Sequence, residues 1–213
     1  MSDAPTIVLA SASPRRRELL AGLGVRFEVR PAAIDERSAE PEPARRASAL
    51  ALAKARAVGE RARGALVPSG LVLGADTIVV APNGELLGKP ADDDEAASML
   101  HSLRGREHQV VTAVAVVAGD RSTVEHVVSR VTMRAYSDAE IAAYVAGGSP
   151  FDKAGSYAIQ DRDFAPVDRL DGCECAVIGL PLWTAARLLR EIATIEAQRP
   201  SYDRCADCPQ RDG

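Results

Sequence analysis

Three consecutive arginines at the start of a predicted helix are the most unusual chemical feature of this sequence. Ser13 and Pro14 suit the N-cap and the first helical position, so Arg15, Arg16 and Arg17 crowd the first turn. Cations are unfavourable there, because the helix macrodipole is already positive at this end. A bound polyphosphate would turn the repulsion into attraction, since free backbone N–H groups and arginines both bind phosphate. The alternative is a solvated helix start whose side chains point away from the dipole.

A carboxylate inside an apolar run is the second such feature. Asp76 lies within "LVLGADTIVVA" at residues 71–81, and a buried, unpaired carboxylate costs several kcal/mol, so it needs a partner. Asp76 is interpreted either as a structural residue bonded to backbone N–H groups or an arginine, or as a metal ligand or general base. Strand alternation puts Thr77 on the opposite face, so both can reach one pocket only if the strand ends or bends there.

Three lysines and a second acid could complete a site, although each is ambiguous alone. Lys54 shares a face of the predicted long helix with apolar residues, where a lysine usually only snorkels. Lys89 lies between a glycine and a proline, Lys153 lies in "FDKAG", and Glu36 lies in a polar loop where surface acids are common. Together these residue types favour a phosphate site with a divalent ion such as Mg²⁺ or Mn²⁺. The phosphate candidates are Arg15, Arg16, Lys54 and Lys89, and the metal candidates are Asp76 and Glu36.

The overall composition and the absence of several known motifs argue against some classes of function. The chain has 213 residues, 46% hydrophobic and 26% charged, with a net charge of −4, so an anion site must be a local basic cluster. No Walker GK[ST], GxGxxG, HExxH or GxSxG pattern is present, which argues against P-loop, Rossmann, zinc-hydrolase and nucleophile-elbow sites. The sequence has no apolar run of membrane-spanning length and no signal-peptide pattern, so we expect a cytosolic protein.

The order of elements predicts an α/β fold with a mixed central sheet. The runs "HQVVTAVAVVA" and "TVEHVVSRVTM", joined by "GDRS", predict an antiparallel hairpin. We expect one domain over residues 1–195 and a polar, cysteine-containing tail over 196–213 that frays. The other predicted strands lie at 6–10, 25–31 and 71–81. The predicted helices run from Ser13 to near Gly22 or Gly24, from about Ala44 to about Arg63, over 93–103, from a Ser137/Glu140 capping box to Gly147, and from "GLPLW" to about Ile195.

Seven segments of the chain together resemble the Maf family of nucleoside triphosphate pyrophosphatases, from about Ile7 to about Leu189. They are "LASASPRRRELL", "LALAKARAV", "GADTIVV", "GKP", "VTAVAVV", "YVAGGSPFDKAGSYAIQ" and "IGLPL". The resemblance implies an inosine-triphosphatase-like α/β fold, in which a mixed sheet divides two lobes around a cleft. It also implies hydrolysis of a nucleoside triphosphate to the monophosphate and pyrophosphate with a divalent cation, in the clearance of unwanted nucleotides.

The resemblance implies a role for each matching residue. Asp76 matches the acidic residue usually described as the proton acceptor, and whether it acts as base or metal ligand stays open. Arg15, Thr77 and Gln160 match the branch that prefers dTTP, UTP and related modified pyrimidines, and a glutamine carboxamide suits a pyrimidine edge. The polar positions that line the substrate and metal site match Ser11, Arg15, Arg16, Glu36, Lys54, Lys89 and Lys153.

The implied partner is the nucleotide substrate, without nucleic acid or membrane, and a homodimer stays open. The competing hypothesis is a catalytically weak nucleotide-binding protein that regulates cell division and septum formation.

Four cysteines depart from the family pattern. Cys173 and Cys175 lie in "DGCECAVIGLPLW", where the family has polar and aromatic residues, and Cys205 and Cys208 lie in the tail. A cytosolic location argues against disulfides. Free thiols or a redox pair are the simpler interpretation, and zinc binding, which needs the tail to fold back, is the alternative because C-x-C…C-x-x-C is not a standard zinc-ribbon spacing.

Overall fold

The computed structural model describes residues 5–62, 70–193, 195 and 197–211. Its strands are β1 (Ile7–Leu9), β2 (Phe27–Val29), β3 (Leu71–Val80), β4 (Leu86–Leu87), β5 (Glu107–Ala118), β6 (Arg121–Met133) and β7 (Val167–Asp171). Its α-helices are α1 (Pro14–Ala21), α2 (Pro43–Ala62), α3 (Asp93–Leu103), α4 (Asp138–Ala146), α5 (Glu174–Ile178) and α6 (Leu182–Ala193). Short 3₁₀ helices cover Ser149–Asp152, Ala154–Ser156 and Asp203–Cys205.

The seven strands form one mixed sheet, as the sequence predicts. The strand order is β2-β1-β3-β5-β6-β7, and β4 pairs with β3 alone. β1 runs parallel to β2 and β3, whereas β3, β5, β6 and β7 are antiparallel neighbours. The predicted hairpin is confirmed: β5 and β6 pair along their length, and Gly119 takes a left-handed φ of 61° in the turn between them.

Apolar side chains form three clusters around this sheet. The alanine-rich face of α2 packs against one face of the central strands, with Ala47, Ala51 and Ala55 fully buried. A second cluster joins α1, α5 and α6 to the β1 end of the sheet, and a third joins α3 and α4 to the β4 end. Among the described helices, none combines the length and apolar character needed to cross a membrane.

The central strand β3 has an open stretch that creates the cleft. β1 pairs with β3 only up to Leu73, and β4 starts to pair with it at Val79. Between these points β3 hydrogen-bonds to β5 on one side, while no described strand covers its other edge. Side chains from both faces of β3 can therefore reach the same space around this edge.

The C-terminal segment differs from the prediction, because its described part packs instead of fraying. The backbone N–H groups of Gln198 and Ser201 donate to the carbonyls of Leu23 and Gly22, at 2.9 and 3.2 Å. Ile195, Cys205 and Cys208 are buried in the cluster beside α1 and α6, which explains why the tail stays in place. α5 and β7 were missed by the sequence analysis, and the predicted helix end at Arg63 lies outside the described residues.

Candidate active site

A cleft of about 690 Å³ lies at the open edge of β3. Its walls come from the β1–α1 turn, α2, β3, the segment after β4 and the 3₁₀ segment that follows α4. Each site residue named from the sequence contributes to this wall: Ser11, Arg15, Arg16, Glu36, Lys54, Asp76, Thr77, Lys89, Lys153 and Gln160.

The first turn of α1 places Arg16 on the cleft wall. Ser13 caps the helix as predicted, and its hydroxyl accepts from the backbone N–H of Arg16. The Arg16 guanidinium then donates to the Gly179 carbonyl at 2.8 Å, the Thr77 hydroxyl at 3.1 Å and the Ser11 hydroxyl at 3.3 Å. Burial lowers the pKa of Arg16, although the negative charge of Asp76 favours its charged form. The alternative interpretation, a helix start whose side chains extend into solvent, is therefore wrong for Arg16.

Arg15 crosses the cleft to a residue that the sequence analysis missed. Its guanidinium forms an ion pair with the Asp152 carboxylate and donates to the Asp152 carbonyl at 3.0 Å. The Lys153 ammonium pairs with the same carboxylate. Burial alone would raise the pKa of Asp152, but hydrogen bonds from Lys153 and Arg15 lower it. Arg17, by contrast, is exposed. The signal that could have found Asp152 is its position beside Lys153 in the quoted "FDKAG" motif.

Asp76, Lys54 and Glu36 form a charged group at the centre of the cleft. The Lys54 ammonium lies 2.7 Å from Asp76 Oδ1 and 3.1 Å from Glu36 Oε1. Both Lys54 and Asp76 are buried, whereas Glu36 is 61% exposed. Burial raises the pKa of Asp76, and Lys54 and Arg16 only partly oppose this. Lys54 therefore does not snorkel to water, because its ammonium is held between two carboxylates.

Thr77 and Asp76 both reach the cleft, although they lie on opposite faces of β3. Asp76 meets Lys54 from α2, while Thr77 accepts from Arg16 and hydrogen-bonds to the Thr112 hydroxyl at 2.9 Å. The expected end or bend of the strand is absent, because β3 continues to Val80 in unbroken register with β5. Instead, the other edge of β3 has no partner among the described strands here, which opens both faces to the cleft. Around that edge, the cleft contacts both faces of the sheet.

Two further cations and an amide also contribute to the cleft wall. Lys89 and Gln160 are exposed, and a backbone bond from Gly155 to Gly88 at 3.0 Å joins the segments that carry them. Arg46 also lines the cleft and was not named from the sequence. It lies eight residues before Lys54, on the same helix face, and this spacing could have identified it.

Two carboxylates could hold a metal ion in this cleft, namely Asp76 and Glu36. Within the described residues, no three His, Cys, Asp or Glu side chains stand at metal-binding spacing. Mg²⁺ commonly takes one or two protein carboxylates and completes its shell with water and substrate phosphates. The acids present fit an ion of that kind, bound together with a phosphorylated ligand.

Comparison with known proteins agrees with this geometry. A family model described as Maf-like protein matches residues 6–192. A dTTP/UTP pyrophosphatase of Thermomicrobium roseum is 50% identical over 209 residues, covering 96% of this chain and 93% of its own. Proteins of the same name from Gloeobacter violaceus and Moorella thermoacetica are 48% and 50% identical over 186 residues, covering 87% and 86% of this chain and 95% and 93% of their own. The chain therefore belongs to the Maf-like protein family.

Proposed function

We propose that this protein is a nucleoside triphosphate pyrophosphatase that hydrolyses dTTP and UTP to the monophosphate and pyrophosphate. The observation that carries the proposal is a buried carboxylate of raised pKa in a cleft lined by cations. The names of the relatives point to the same pair of substrates.

The charges of the cleft wall suit a triphosphate. Among the described residues, six cations line it (Arg15, Arg16, Arg46, Lys54, Lys89 and Lys153), against three carboxylates (Glu36, Asp76 and Asp152). The difference is three positive charges, in a chain whose net charge is −4. Cations that neutralise the phosphates make attack at the α-phosphorus easier and hold the leaving pyrophosphate. Arg16 also retains donors for this task, because a guanidinium has five N–H groups and three of them bond to protein oxygens.

Asp76 is the proposed proton acceptor. Its raised pKa makes the carboxylate a better base than an ordinary aspartate, and Lys54 keeps it ionised by a hydrogen bond of 2.7 Å. A water between Asp76 and the α-phosphorus could pass its proton to this carboxylate as it attacks. Lys54 would hold the Asp76 side chain in place during this proton transfer.

A divalent ion is proposed as the cofactor, with Asp76 and Glu36 as its candidate protein ligands. An Asp76 that binds the ion would help to acidify the attacking water instead of taking its proton directly. Such an ion lowers the pKa of a bound water and polarises phosphoryl oxygens. Both carboxylates pair with the same Lys54 ammonium, so they lie close together in the cleft.

Thr77 and Gln160 are proposed to contribute to base selection. The exposed Gln160 carboxamide lines the cleft, and it carries both a donor and an acceptor, as a pyrimidine edge does. Thr77 is held by Arg16 and Thr112, so its methyl and hydroxyl groups have fixed positions.

A nucleotide panel tests the activity. The purified chain is incubated with each nucleoside triphosphate and Mg²⁺, with and without a chelator, and monophosphate, pyrophosphate and inorganic phosphate are separately measured. We expect dTTP and UTP to give equal amounts of monophosphate and pyrophosphate, with no turnover under chelation. Tight nucleotide binding without turnover would instead favour the regulatory hypothesis.

The Asp76→Asn variant tests whether this carboxylate is the proton acceptor. Loss of a general base typically costs about 10²–10⁴-fold in rate, and the fold should survive because Lys54 keeps Glu36 as its partner. Asp94→Asn, an exposed acid in the first turn of α3, serves as the control and should retain full turnover. Wild-type turnover in Asp76→Asn would refute the assigned role.

A further inference from the structure

The four cysteines, far apart in the sequence, meet in one buried cluster. Cys173 and Cys175 lie at the start of α5, and Cys205 and Cys208 lie in the C-terminal segment, each no more than 6% exposed. The sulfurs of Cys175 and Cys205 are 3.2 Å apart. The Cys173 thiol lies close enough to those of Cys175 and Cys208 to interact with both. All four thiols therefore belong to a single contact network.

A backbone donor points at this cluster. The N–H of Ala176 donates to the Cys173 sulfur at 3.4 Å, as the N-cap bond of α5. Four sulfurs that meet in one place can bind a divalent cation as thiolates, because the cation offsets the repulsion between their negative charges.

Paired disulfides are the alternative to a metal site. The same contacts would allow the pairs Cys175–Cys205 and Cys173–Cys208, so the metal content and the mass of the protein must distinguish the two arrangements. The Ala176 bond by itself is explained by capping of α5, so the case for a metal site rests on the meeting of the four sulfurs.

We propose that Cys173, Cys175, Cys205 and Cys208 form a structural tetrathiolate site for Zn²⁺. Four cysteine ligands are the common composition of a closed structural zinc site, with Zn–S near 2.3 Å and sulfurs about 3.8 Å apart. The 3.2 Å separation of Cys175 and Cys205 must therefore widen by about 0.6 Å, which small side-chain rotations supply. As they stand, the described side chains include no group already at metal-binding spacing.

The site would fasten the C-terminal segment to the wall of the cleft. The Trp183 indole donates to the Cys205 carbonyl at 2.9 Å, and the Tyr202 hydroxyl donates to Glu174 at 2.9 Å. α5 carries two of the cysteines and ends at Gly179, whose carbonyl accepts from Arg16. Zinc binding contributes folding free energy where it joins such segments, so the ion would stabilise the support of Arg16. This site is separate from the carboxylates proposed for the catalytic ion.

Metal analysis of the whole chain tests the proposal. The protein, purified under reducing conditions and freed of loosely bound metal, should hold about one zinc per chain. Replacement by Co²⁺ should produce the intense visible bands and the near-ultraviolet thiolate charge-transfer band of a tetrahedral thiolate site. Chelation should shift the emission of Trp183, the single tryptophan, because its indole bonds to Cys205.

Variants locate the ion. The double variant Cys205→Ser/Cys208→Ser should lose the zinc, whereas Asp207→Asn, an exposed neighbour between the two cysteines, should keep it. Asp76→Asn should also keep it, which separates this site from the catalytic one. If the double variant does not fold, the cobalt spectrum of the wild type decides.

Two results would overturn the proposal. One is a reduced protein that retains no zinc after incubation with it and whose four thiols all react freely. The other is a metal-free protein whose mass shows two disulfides. Neither result bears on nucleotide hydrolysis, so this inference and the proposed function can fail independently.

Discussion

Arg16 shows how one side chain can be fixed by the protein and still be available to a ligand. Three of its N–H groups bond to Gly179, Thr77 and Ser11, so the orientation of the guanidinium is set before a ligand arrives. A preorganised donor of this kind costs little reorganisation when a phosphate binds. The neighbouring Arg17 is exposed, so two adjacent arginines have quite different surroundings.

Replacing Arg16 should therefore damage activity more than stability. We expect Arg16→Ala to reduce kcat/KM by about 100-fold or more, since a charge-assisted bidentate contact is lost. Arg16→Lys should recover only part of this, because an ammonium lacks the planar fork. Arg17→Ala is the control and should leave kcat/KM nearly unchanged. Steady-state kinetics and thermal melting of the three variants provide the measurements, and equal losses in Arg16→Ala and Arg17→Ala would contradict the assignment.

The pH dependence of the rate should report on Asp76. Burial raises the pKa of this carboxyl above its ordinary value of 3.8, and the base form is needed, so kcat/KM should fall as pH decreases through that raised pKa. Lys54→Met removes the cation that opposes the shift, so the acid limb should move to higher pH. Lys89→Met should lower kcat/KM without moving this limb. A limb that stays in place in Lys54→Met would argue against Asp76 as the titrating group.

At the scale of elements, the close approach of α2 to β3 brings Lys54 and Asp76 together. Gly74 permits this approach: a Cβ there would lie 2.3 Å from the Ala51 carbonyl oxygen and 2.9 Å from the Ala55 nitrogen. Small residues on the facing side of α2 complete the contact. The helix therefore lies nearly against the strand, and a lysine one residue from Ala55 can reach an aspartate two residues from Gly74.

Gly74→Ala should separate these two elements. Overpacking of this kind typically costs about 1–3 kcal/mol, and the shift of α2 should weaken the bond between Lys54 and Asp76 and lower kcat. Gly59→Ala is the matched control in α2, because its Cβ would only meet Val72 Cγ2 at 3.7 Å. That variant should be unchanged or more stable by up to about 1 kcal/mol, since alanine favours helix. Urea unfolding and kcat measure both effects, and identical behaviour of the two variants would contradict the model of close packing.

At the scale of the whole molecule, buried polar contacts join the central sheet to the 3₁₀ segment of the cleft wall. His108 on β5 is 2% exposed, and its Nε2 lies 2.8 Å from the Tyr157 hydroxyl. Burial lowers the pKa of His108 from 6.5 to about 4. The folded protein therefore keeps the His108 ring neutral, whereas the ring binds a proton more readily in the unfolded chain.

Global stability should consequently decrease on acidification. Between pH 6.5 and about 4 the unfolded chain binds more protons at this residue than the folded chain, so the free energy of unfolding falls as pH decreases through that range. The expected loss is up to about 3 kcal/mol. His108→Gln should reduce this pH dependence, and His126→Gln, at an exposed position on β6, should not. Denaturant titrations at several pH values test it; equal slopes in the wild type and His108→Gln would refute it.

Much of this architecture follows from local pattern. The hairpin β5–β6, the helices with clear caps and the interleaving of strands and helices depend on short-range periodicity, which a sequence shows directly. α5 and β7 were missed because each has only five residues, too few to display a period. The tail was expected to fray because its sequence is polar, and its packing depends on cysteines that meet partners 30 or more residues away.

Residue types by themselves determined which side chains could do chemistry here. The arginines at a helix start, the aspartate in an apolar strand and the lysine between a glycine and a proline are visible in the sequence, because each breaks a local preference. Only the tertiary structure decided how they combine. The open edge of β3 lets Asp76 and Thr77 share a cleft, Gly74 admits α2 with Lys54, and Asp152 pairs with Arg15 across 137 positions of sequence. The physical reason is that such contacts depend on long-range packing, and no local pattern encodes the distance between two segments.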